Sequence, residues 1–363
     1  MMRAVKDTAA KVDAAGKETG AAGWSGGAQK GAAALGGAAA QKGFGRAVRD
    51  FLFSYNSAVI FAALLVFATF FVNKFSRNYS TVIFDASIYG CIAIGLSLVM
   101  VTGNIDLSVG FQAALGAVVV VQVSKLTGSL PLGVICGLAA GAVCGALNGA
   151  VVTRVGISPL IATIASNYIF KGIVYYFTKN GSIYPEGELR EALKNSISKL
   201  WLGGFKALAL TVVIVAVVLA TLAFIMRNTD FGNNFYIAGD NAEAGKLAGI
   251  NIPRAQFFAY VLCGLLCGLA GVFLASNSGA AVYTQGEGRD VFAISACVIG
   301  GIKMAGGKGT MLNVLIGILI MRIISTGMNL MLLPSAWVDF VSGVLLIVVL
   351  VIDKVTSVKT EDA

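Results

Sequence analysis

Histidine is absent from the 363-residue sequence, which removes the side chain that most often binds metal or acts as a catalytic base at neutral pH. Zinc sites built from imidazole and catalysis by Ser–His or Cys–His pairs are therefore excluded. The GxxxxGK[ST] motif that holds nucleotide phosphates is also missing, so the chain has no means of its own to energise transport with ATP. We expect a protein that is not an enzyme and that contains no metal or cofactor.

Charged residues are scarce as well: they make up 12% of the sequence, whereas soluble domains contain about a quarter. Hydrophobic residues reach 57%, and the mean hydropathy is +0.83. The 45 glycines suit helices that pack backbone against backbone in lipid. This composition predicts an all-α fold, namely a polytopic membrane helix bundle.

Cysteine is sparse, and each of the six lies inside an apolar run, where a thiol behaves as a small hydrophobic group. They are Cys91, Cys136, Cys144, Cys263, Cys267 and Cys297. Because no CxxC spacing occurs, they predict neither a disulfide framework nor a metal site.

Ten apolar segments are candidates for membrane helices, because a spanning helix needs about 20 mainly apolar residues. They cover residues 57–74, 81–102, 107–124, 130–153, 157–178, 206–226, 254–275, 291–302, 311–332 and 335–352. The eighth is too short to cross alone and is predicted to be a half-helix. Ten crossings place both termini on one side, and the basic N-terminal region indicates that this side is the cytoplasm.

Residues 1–50 are rich in Ala, Gly and Lys and predict a mostly disordered cytoplasmic tail rather than a signal peptide. Basic residues beside a membrane contact anionic lipid more often than nucleic acid. We therefore expect membrane lipid as a partner and no nucleic acid. The membrane domain is assigned to residues 51–354, and residues 355–363 are assigned to a short cytoplasmic tail.

The longest polar interval between two spanning segments is 227–254, and segment parity places it in the cytoplasm. Within it, Asp240 is predicted to cap a short helix, with Glu243 closing the capping box. Gly249 fits the left-handed residue after that helix, and Pro253 fits the first turn of the next one. The short helix is either a handle on which an outside partner pushes or a connector lying on lipid headgroups.

The fourth segment has glycine at every fourth position, which places five glycines along one helix face. They are Gly133, Gly137, Gly141, Gly145 and Gly149. Gly264 and Gly268 repeat this spacing in the seventh segment. Such seams let another helix backbone approach closely, and they let helices slide.

The main outer loop contains an amphipathic stretch at residues 188–200, with leucine and isoleucine at helical spacing. It predicts a surface helix. That helix either docks a soluble partner or covers the end of the bundle.

Residues 103–110, GNIDLSVG, place polar residues and glycine between two apolar segments. Backbone that leaves a helix at membrane depth must be satisfied by protein or water, so this stretch is either a broken segment near the translocation path or a tight boundary turn. Asp106 or Ser108 can cap the helix that follows.

A second stretch resembles the first: residues 298–307, VIGGIKMAGG, align without a gap on residues 101–110, VTGNIDLSVG. The likeness indicates an internal repeat of the kind found in transporters, or a chance similarity of glycine-rich turns. In this alignment Asp106 faces Lys303. The two side chains either form an ion pair or each face the cytoplasmic interface.

Arg322 lies about halfway along the ninth segment and needs an anionic partner or a wet cavity. Asp85, Asp290 and Asp339 are the candidates, and we expect a structural ion pair rather than contact with substrate. Buried asparagines can bind a sugar hydroxyl or a neighbouring helix. The candidate residues for the translocation path or its broken turns are Asn104, Asp106, Ser108, Gln112, Asn148, Asn167, Asn277, Lys303, Arg322 and Asn329.

Several motifs together resemble the permease subunits of bacterial ABC importers for simple sugars, of the ribose, xylose, galactose and arabinose type with autoinducer-2 and nucleoside relatives. The motifs are GNIDLSVG at 103–110, GALNGAVVTRVGISPLIATIA at 145–165, TDFGNNFYIAGDNAEAGKLAGINIPR at 229–254, CGLLCGLAGV at 263–272 and IGGIKMAGGKG at 299–309. They occur in family order over most of residues 53–354.

The resemblance implies import of a ribose-like pentose or galactose-like hexose by alternating access in the bacterial inner membrane. It implies a second permease copy or a paralogue, a cytoplasmic tandem ATPase that holds the ATP, and an extracytoplasmic sugar-binding protein. The residues that would contact the ATPase are Asp240, Asn241, Glu243, Lys246, Leu247 and Gly249. The alternative is an ion-coupled secondary transporter, which would need clustered membrane carboxylates.

Overall fold

The computed structural model describes residues 56–195 and 210–361, and the statements below concern these residues. The predicted tail at 1–50, the end of the predicted surface helix at 196–200 and the start of the sixth segment at 206–209 lie outside them. In chain order the helices are α1 (Asn56–Phe71), α2 (Tyr79–Val101), α3 (Val109–Thr127), α4 (Leu130–Ala150), α5 (Pro159–Thr178), α6 (Gly187–Lys194), α7 (Leu210–Asn228), α8 (Asp230–Asp240), α9 (Ala242–Leu247), α10 (Ile252–Ser278), α11 (Arg289–Ile299), α12 (Met311–Leu330) and α13 (Ser335–Glu361).

Short irregular elements connect the helices. A two-residue strand, β1 (Ser182–Ile183), pairs antiparallel with β2 (Ala281–Val282) on the side where α5 and α10 end. A π-helical turn at Val151–Val155 prolongs α4, and Gly156 ends it with a φ of 81°. Pro159 then starts α5 in the first turn, where its missing N–H is tolerated.

Each of the ten predicted apolar segments contains a helix, so the all-α polytopic bundle is confirmed. By length and composition, seven helices of the described chain can cross a membrane: α2, α3, α4, α5, α7, α10 and α12. The apolar parts of α1 and α13 are shorter. Helix α11 has 11 residues, which confirms that the eighth segment is too short to span.

Helix α13 continues to Glu361, so the helix extends into the region assigned to the C-terminal tail, whose cytoplasmic location stays a prediction. Nothing between residues 355 and 361 breaks a helix, since Gly and Pro are both absent there. The predicted surface helix is confirmed for its first half, where α6 buries Leu193 against the end of α10.

The centre of the bundle is α10, which packs against α2, α3 and α4. Most residues of α2, α3 and α10 are buried, whereas α4, α5 and α7 expose apolar side chains on the outside of the protomer. Five cysteines are buried and Cys136 is half-buried. All six are free thiols, as expected for packing residues.

The glycine seam of α4 forms close contacts with two neighbouring helices. Gly133 and Gly137 face α3, while Gly141, Gly145 and Gly149 face α10. A Cβ built on Gly141 would lie 2.6 Å from the amide nitrogen of Gly268, and the corresponding Cβ of Gly264 would lie 2.7 Å from that of Gly145. The prediction that glycines let two backbones touch is therefore confirmed for both segments.

Candidate functional site

Three backbone segments meet at one end of the bundle: residues 101–103 after α2, residues 239–240 at the end of α8, and residues 305–307 before α12. We call this meeting point the junction. The amide of Gly307 donates to the carbonyl of Val101 over 2.9 Å. A Cβ on Gly239 would lie 2.5 Å from the nitrogen of Gly307 and 3.1 Å from that of Gly103. The two turns that resemble each other in sequence are thus in contact, with α8 pressed against both.

The junction also has side-chain support. The Tyr236 hydroxyl on α8 donates to the carbonyl of Gly309 over 2.9 Å. Burial of this phenol raises the pKa of Tyr236 above its usual value, so the hydroxyl keeps the proton that it donates. Gly306 and Gly307 have φ values of 90° and 71°, which explains why glycine occupies both positions.

The short helix predicted within the polar interval is present as α9, but its cap was assigned to the wrong residue. Asp240 is the last residue of α8, and Asn241 caps α9 by accepting the amide of Ala244 over 2.9 Å. Asn241 is the residue that leaves helical geometry, with a φ of −153°. Glu243 therefore stands two positions after the cap rather than three and cannot close a capping box. Gly249 has a φ of 83° and ends α9 as predicted.

Helix α9 is attached by one buried face. Gly245 is buried, and a Cβ there would lie 2.9 Å from side-chain atoms of both Ile237 on α8 and Ile252 on α10. The six residues predicted to contact a partner, Asp240, Asn241, Glu243, Lys246, Leu247 and Gly249, are all exposed. Leu247 is 92% exposed, the most of any large apolar residue described.

The predicted path residues Asp106, Ser108, Gln112 and Asn148 do not line an opening but form one fully buried hydrogen-bond network. Asp106 accepts from the amide of Ser108 at 2.8 Å and from its hydroxyl at 2.6 Å. The side-chain amide of Gln112 donates to the Asp106 carboxylate over 2.8 Å, and the side-chain amide of Asn148 donates to it over 3.2 Å. Helices α3 and α4 therefore converge on this carboxylate. The network fixes the break between α2 and α3.

The predicted ion pair between Asp106 and Lys303 is wrong. Asp106 is 0% exposed, and all of its polar contacts in the described chain come from the network. Lys303 is half-buried in the other turn. Its backbone amide donates to the carbonyl of Lys308, and its carbonyl accepts the amide of Gly306. The backbones of the two turns meet, but their side chains diverge. The internal repeat itself stays a prediction.

Arg322 forms the predicted structural ion pair, and Asp85 on α2 is its partner. The guanidinium also lies 4.8 Å from the ring centre of Tyr89, and Arg289 lies 4.4 Å from the same ring. These arginines border a cavity of about 270 Å³ between α2, α11, α12 and α13, which we call the Arg322 cavity. Asn329, another predicted path residue, lines this cavity, as do Glu287, Asp339 and Ser342.

The other predicted path residues are dispersed. Asn104 bonds the Thr102 hydroxyl over 3.2 Å within the first turn. Asn167 is half-buried on α5, and Asn277 is exposed at the end of α10. The structure therefore gathers four of the ten candidates in the buried network and two at the Arg322 cavity.

Sequence reasoning missed helix α8, although its signals are present. Thr229 caps it by accepting the amide of Gly232 over 3.2 Å, and Asp230 stands in its first turn. Phe235 and Ala238 are buried at helical spacing. The importance of Gly239 could not be read from the sequence, because its contacts lie in two distant turns.

Comparison with known proteins assigns the fold to a family. The family model "Branched-chain amino acid transport system / permease component" matches residues 78–350. The autoinducer 2 import system permease protein of Photorhabdus luminescens is 33% identical over 280 residues, which cover 77% of this chain and 82% of that protein. No solved structure matches.

Two further relatives extend the comparison. The fructose import permease protein of Rhizobium meliloti is 31% identical over 315 residues, covering 85% of this chain and 88% of its own length. The autoinducer 2 import system permease protein of Shigella flexneri is 33% identical over 308 residues, which cover 83% of this chain and 88% of that protein. With its apolar helices and this coverage, the chain belongs to the branched-chain amino acid transport system permease family, as a multi-pass permease of the sugar-importing ABC type.

Proposed function

We propose that the chain is the membrane-spanning subunit of an ATP-driven importer that moves a monosaccharide, a ribose-like pentose or a galactose-like hexose, into the cytoplasm by alternating access. It works with a second permease copy or a close paralogue and with a tandem ATPase that binds the ATP. It accepts the sugar from a periplasmic binding protein. Both termini and the junction lie on the cytoplasmic side.

The observation that carries this proposal is the attachment of α9. The helix presents Leu247 and charged residues outward, while Gly245 seats it on α8 and α10. Helix α8 in turn contacts both turns at the junction through Gly239. A force applied to α9 therefore reaches the ends of α2, α11 and α12 through main-chain contacts, which transmit displacement because packed backbone does not yield.

The functions of two kinds of relative support a sugar as the substrate class. One relative imports fructose and others import autoinducer 2, and both molecules are small and carry hydroxyl groups. The proposed pentose or hexose belongs to the same chemical class. Binding of such solutes needs a few directed polar groups beside apolar surface.

The ion-coupled alternative would use clustered carboxylates, and the part of the chain that the structure describes shows no such cluster. Within the described residues, no group of three or more acidic or other metal-ligating side chains could hold a cation. Asp85 is paired with Arg322, and Asp106 is enclosed by its network. No specific observation favours this mechanism.

The proposal is tested by replacing residues 241–248 with a Gly-Ser segment of equal length in the complete importer, reconstituted in vesicles. We expect insertion of the protein without sugar uptake, and ATP hydrolysis that no longer responds to the loaded binding protein. Unchanged uptake would contradict the coupling role. Accumulation of sugar by the permease alone, without ATPase, would contradict the whole mechanism.

A further inference from the structure

A cluster of four side chains lies on the outside of the protomer, where α5 meets the segment before α11. We call Lys171, Tyr175, Tyr283 and Glu287 the Lys171 cluster. The Tyr175 hydroxyl donates to the Glu287 carboxylate over 2.9 Å, and the Lys171 ammonium lies 3.5 Å from the same oxygen. The rings of Tyr175 and Tyr283 meet edge to face at 5.3 Å.

Helix lengths place this cluster deep in the membrane. Helix α11 runs from the junction side for 11 residues, about 16 Å, which is roughly half of a hydrocarbon core of about 30 Å. Glu287 stands two residues before its start. Lys171 is seven residues from the end of α5, about 10 Å inside that end. Gly286 also lies against Gly110 in the first turn of α3.

The two charged side chains of the Lys171 cluster are partly exposed at the surface of the protomer. The side chains of Lys171 and Glu287 are 34% and 47% exposed. A charge exposed to hydrocarbon is costly, and charged residues in spans therefore face protein or a water-filled cavity. The short Glu287 side chain cannot reach the interface from this depth. This face of α5 therefore borders water, whereas Ile169 on the opposite face is an exposed apolar residue suited to lipid.

The chemistry of the cluster fits a neutral solute that carries several hydroxyls. The carboxylate accepts hydrogen bonds and the ammonium donates them, and charge-assisted bonds of this kind are the strong ones. Because the two charges cancel, the cluster gives no preference for an ionic solute. The two tyrosine rings supply apolar surface for the carbon skeleton.

We propose that the Lys171 cluster binds the transported monosaccharide on the wall of a water-filled passage halfway through the membrane. The inference rests on the proposed function, because it names the surface that the moving sugar contacts. The same Glu287 lines the Arg322 cavity, so one carboxylate joins the passage to the polar interior of the protomer.

Exposure to water is tested without any sugar. In the complete importer, Tyr175→Cys and Ile169→Cys are treated with a charged, membrane-impermeant thiol reagent, and the labelling of the unsubstituted protein is subtracted. We expect the thiol introduced by Tyr175→Cys to react and that introduced by Ile169→Cys to stay unmodified. No reaction at position 175, or equal reaction at both positions, would overturn the proposal.

Contact with the solute is tested by Glu287→Gln, with Glu186→Gln on the exposed outer loop as the matched control. Uptake of labelled ribose, galactose and fructose is measured beside ATP hydrolysis. We expect Glu287→Gln to lower uptake per ATP by about tenfold, because a neutral amide makes weaker hydrogen bonds to sugar hydroxyls than a carboxylate does, and the control to leave it unchanged.

The two proposals fail in different ways. If the unsubstituted importer takes up none of these sugars with ATP, the proposed function fails, while the labelling result still decides whether the cluster faces water. If the importer is active and Glu287→Gln behaves as Glu186→Gln does, the Lys171 cluster is not the sugar-binding surface.

Discussion

Gly306 lies against Gly103 so closely that a Cβ built on Gly306 would stand 2.7 Å from the Cα of Gly103. The same Cβ would stand 2.9 Å from the Cα of Gly239. Three glycines from three separate parts of the chain thus let the ends of α2 and α8 and the turn before α12 pack as bare backbone.

The first prediction concerns Gly239, whose backbone is helical and tolerates alanine except for the contacts that its methyl group would make. Gly239→Ala forces that methyl against the carbonyl of Val101 and the amide of Gly307. We expect overpacking to cost about 1–3 kcal/mol of stability and to impair the response of ATP hydrolysis to substrate. Thermal unfolding in detergent and hydrolysis assays measure both.

Gly343→Ala is the matched control for that experiment. Gly343 lies in α13 with nothing within 4 Å of a built Cβ, so alanine there should leave stability unchanged or slightly raise it. Equal effects of the two substitutions would show that close packing at the junction contributes neither to stability nor to the response of ATP hydrolysis.

The second prediction concerns Leu247, which has almost no contact within the protomer. Leu247→Ser should leave the melting temperature unchanged, because the side chain is 92% exposed, and should weaken binding of the ATPase subunit. Co-purification of the two subunits measures the loss. Leu126→Ser, at a 77% exposed leucine at the other end of the bundle, should bind the ATPase normally. Normal binding by both variants would exclude Leu247 from the contact.

The third prediction concerns the buried network. Asp106→Ala removes the acceptor that Ser108, Gln112 and Asn148 share, and the two amides keep only the Ser108 hydroxyl oxygen. A buried donor left unpaired costs about 1–3 kcal/mol. We expect low yield and low thermal stability. The double variant with Asn148→Leu should lose less than the sum of the two single losses, because both substitutions disrupt one network. Additive losses would contradict this coupling.

The same network predicts the outcome of a charge swap. Asp106→Lys combined with Lys303→Asp should recover no folded protein relative to Asp106→Lys alone, because these side chains do not meet. Recovery would show that the ion pair forms in another state of the protein.

The fourth prediction concerns Arg322. Arg322→Leu leaves Asp85 without its cation, and breaking one member of a buried pair costs about 3–5 kcal/mol, nearer the lower value here because the Asp85 side chain is 27% exposed. Asp85→Leu together with Arg322→Leu should restore the folded yield. A double variant no better than Arg322→Leu would contradict a purely structural pair.

Much of the bundle follows from composition alone, since long apolar runs permit only helices in a membrane. The short helix α9 was located from Gly249 and the polar residues around it, but its cap was misplaced by one position because both Asp240 and Asn241 are good capping residues. Only the continuation of α8 through Asp240 decides between them.

The candidate site was predictable only where its signals are local. Asp106 and Ser108 share one short motif, but Asn148 joins them from a helix that starts more than twenty residues later. Lys171 and Glu287 are farther apart still, and neither belongs to a recognisable pattern. The depth of Glu287 depends on where α11 begins, which apolar content does not specify.

The junction is built from main-chain atoms, and this has a consequence for how such importers diversify. Side chains that select a cargo can be exchanged without altering the junction, since the junction consists of glycine backbone and a main-chain hydrogen bond. Substitutions in the Lys171 cluster should therefore be able to change which sugar this permease transports, while Gly103, Gly239 and Gly306 stay unchanged.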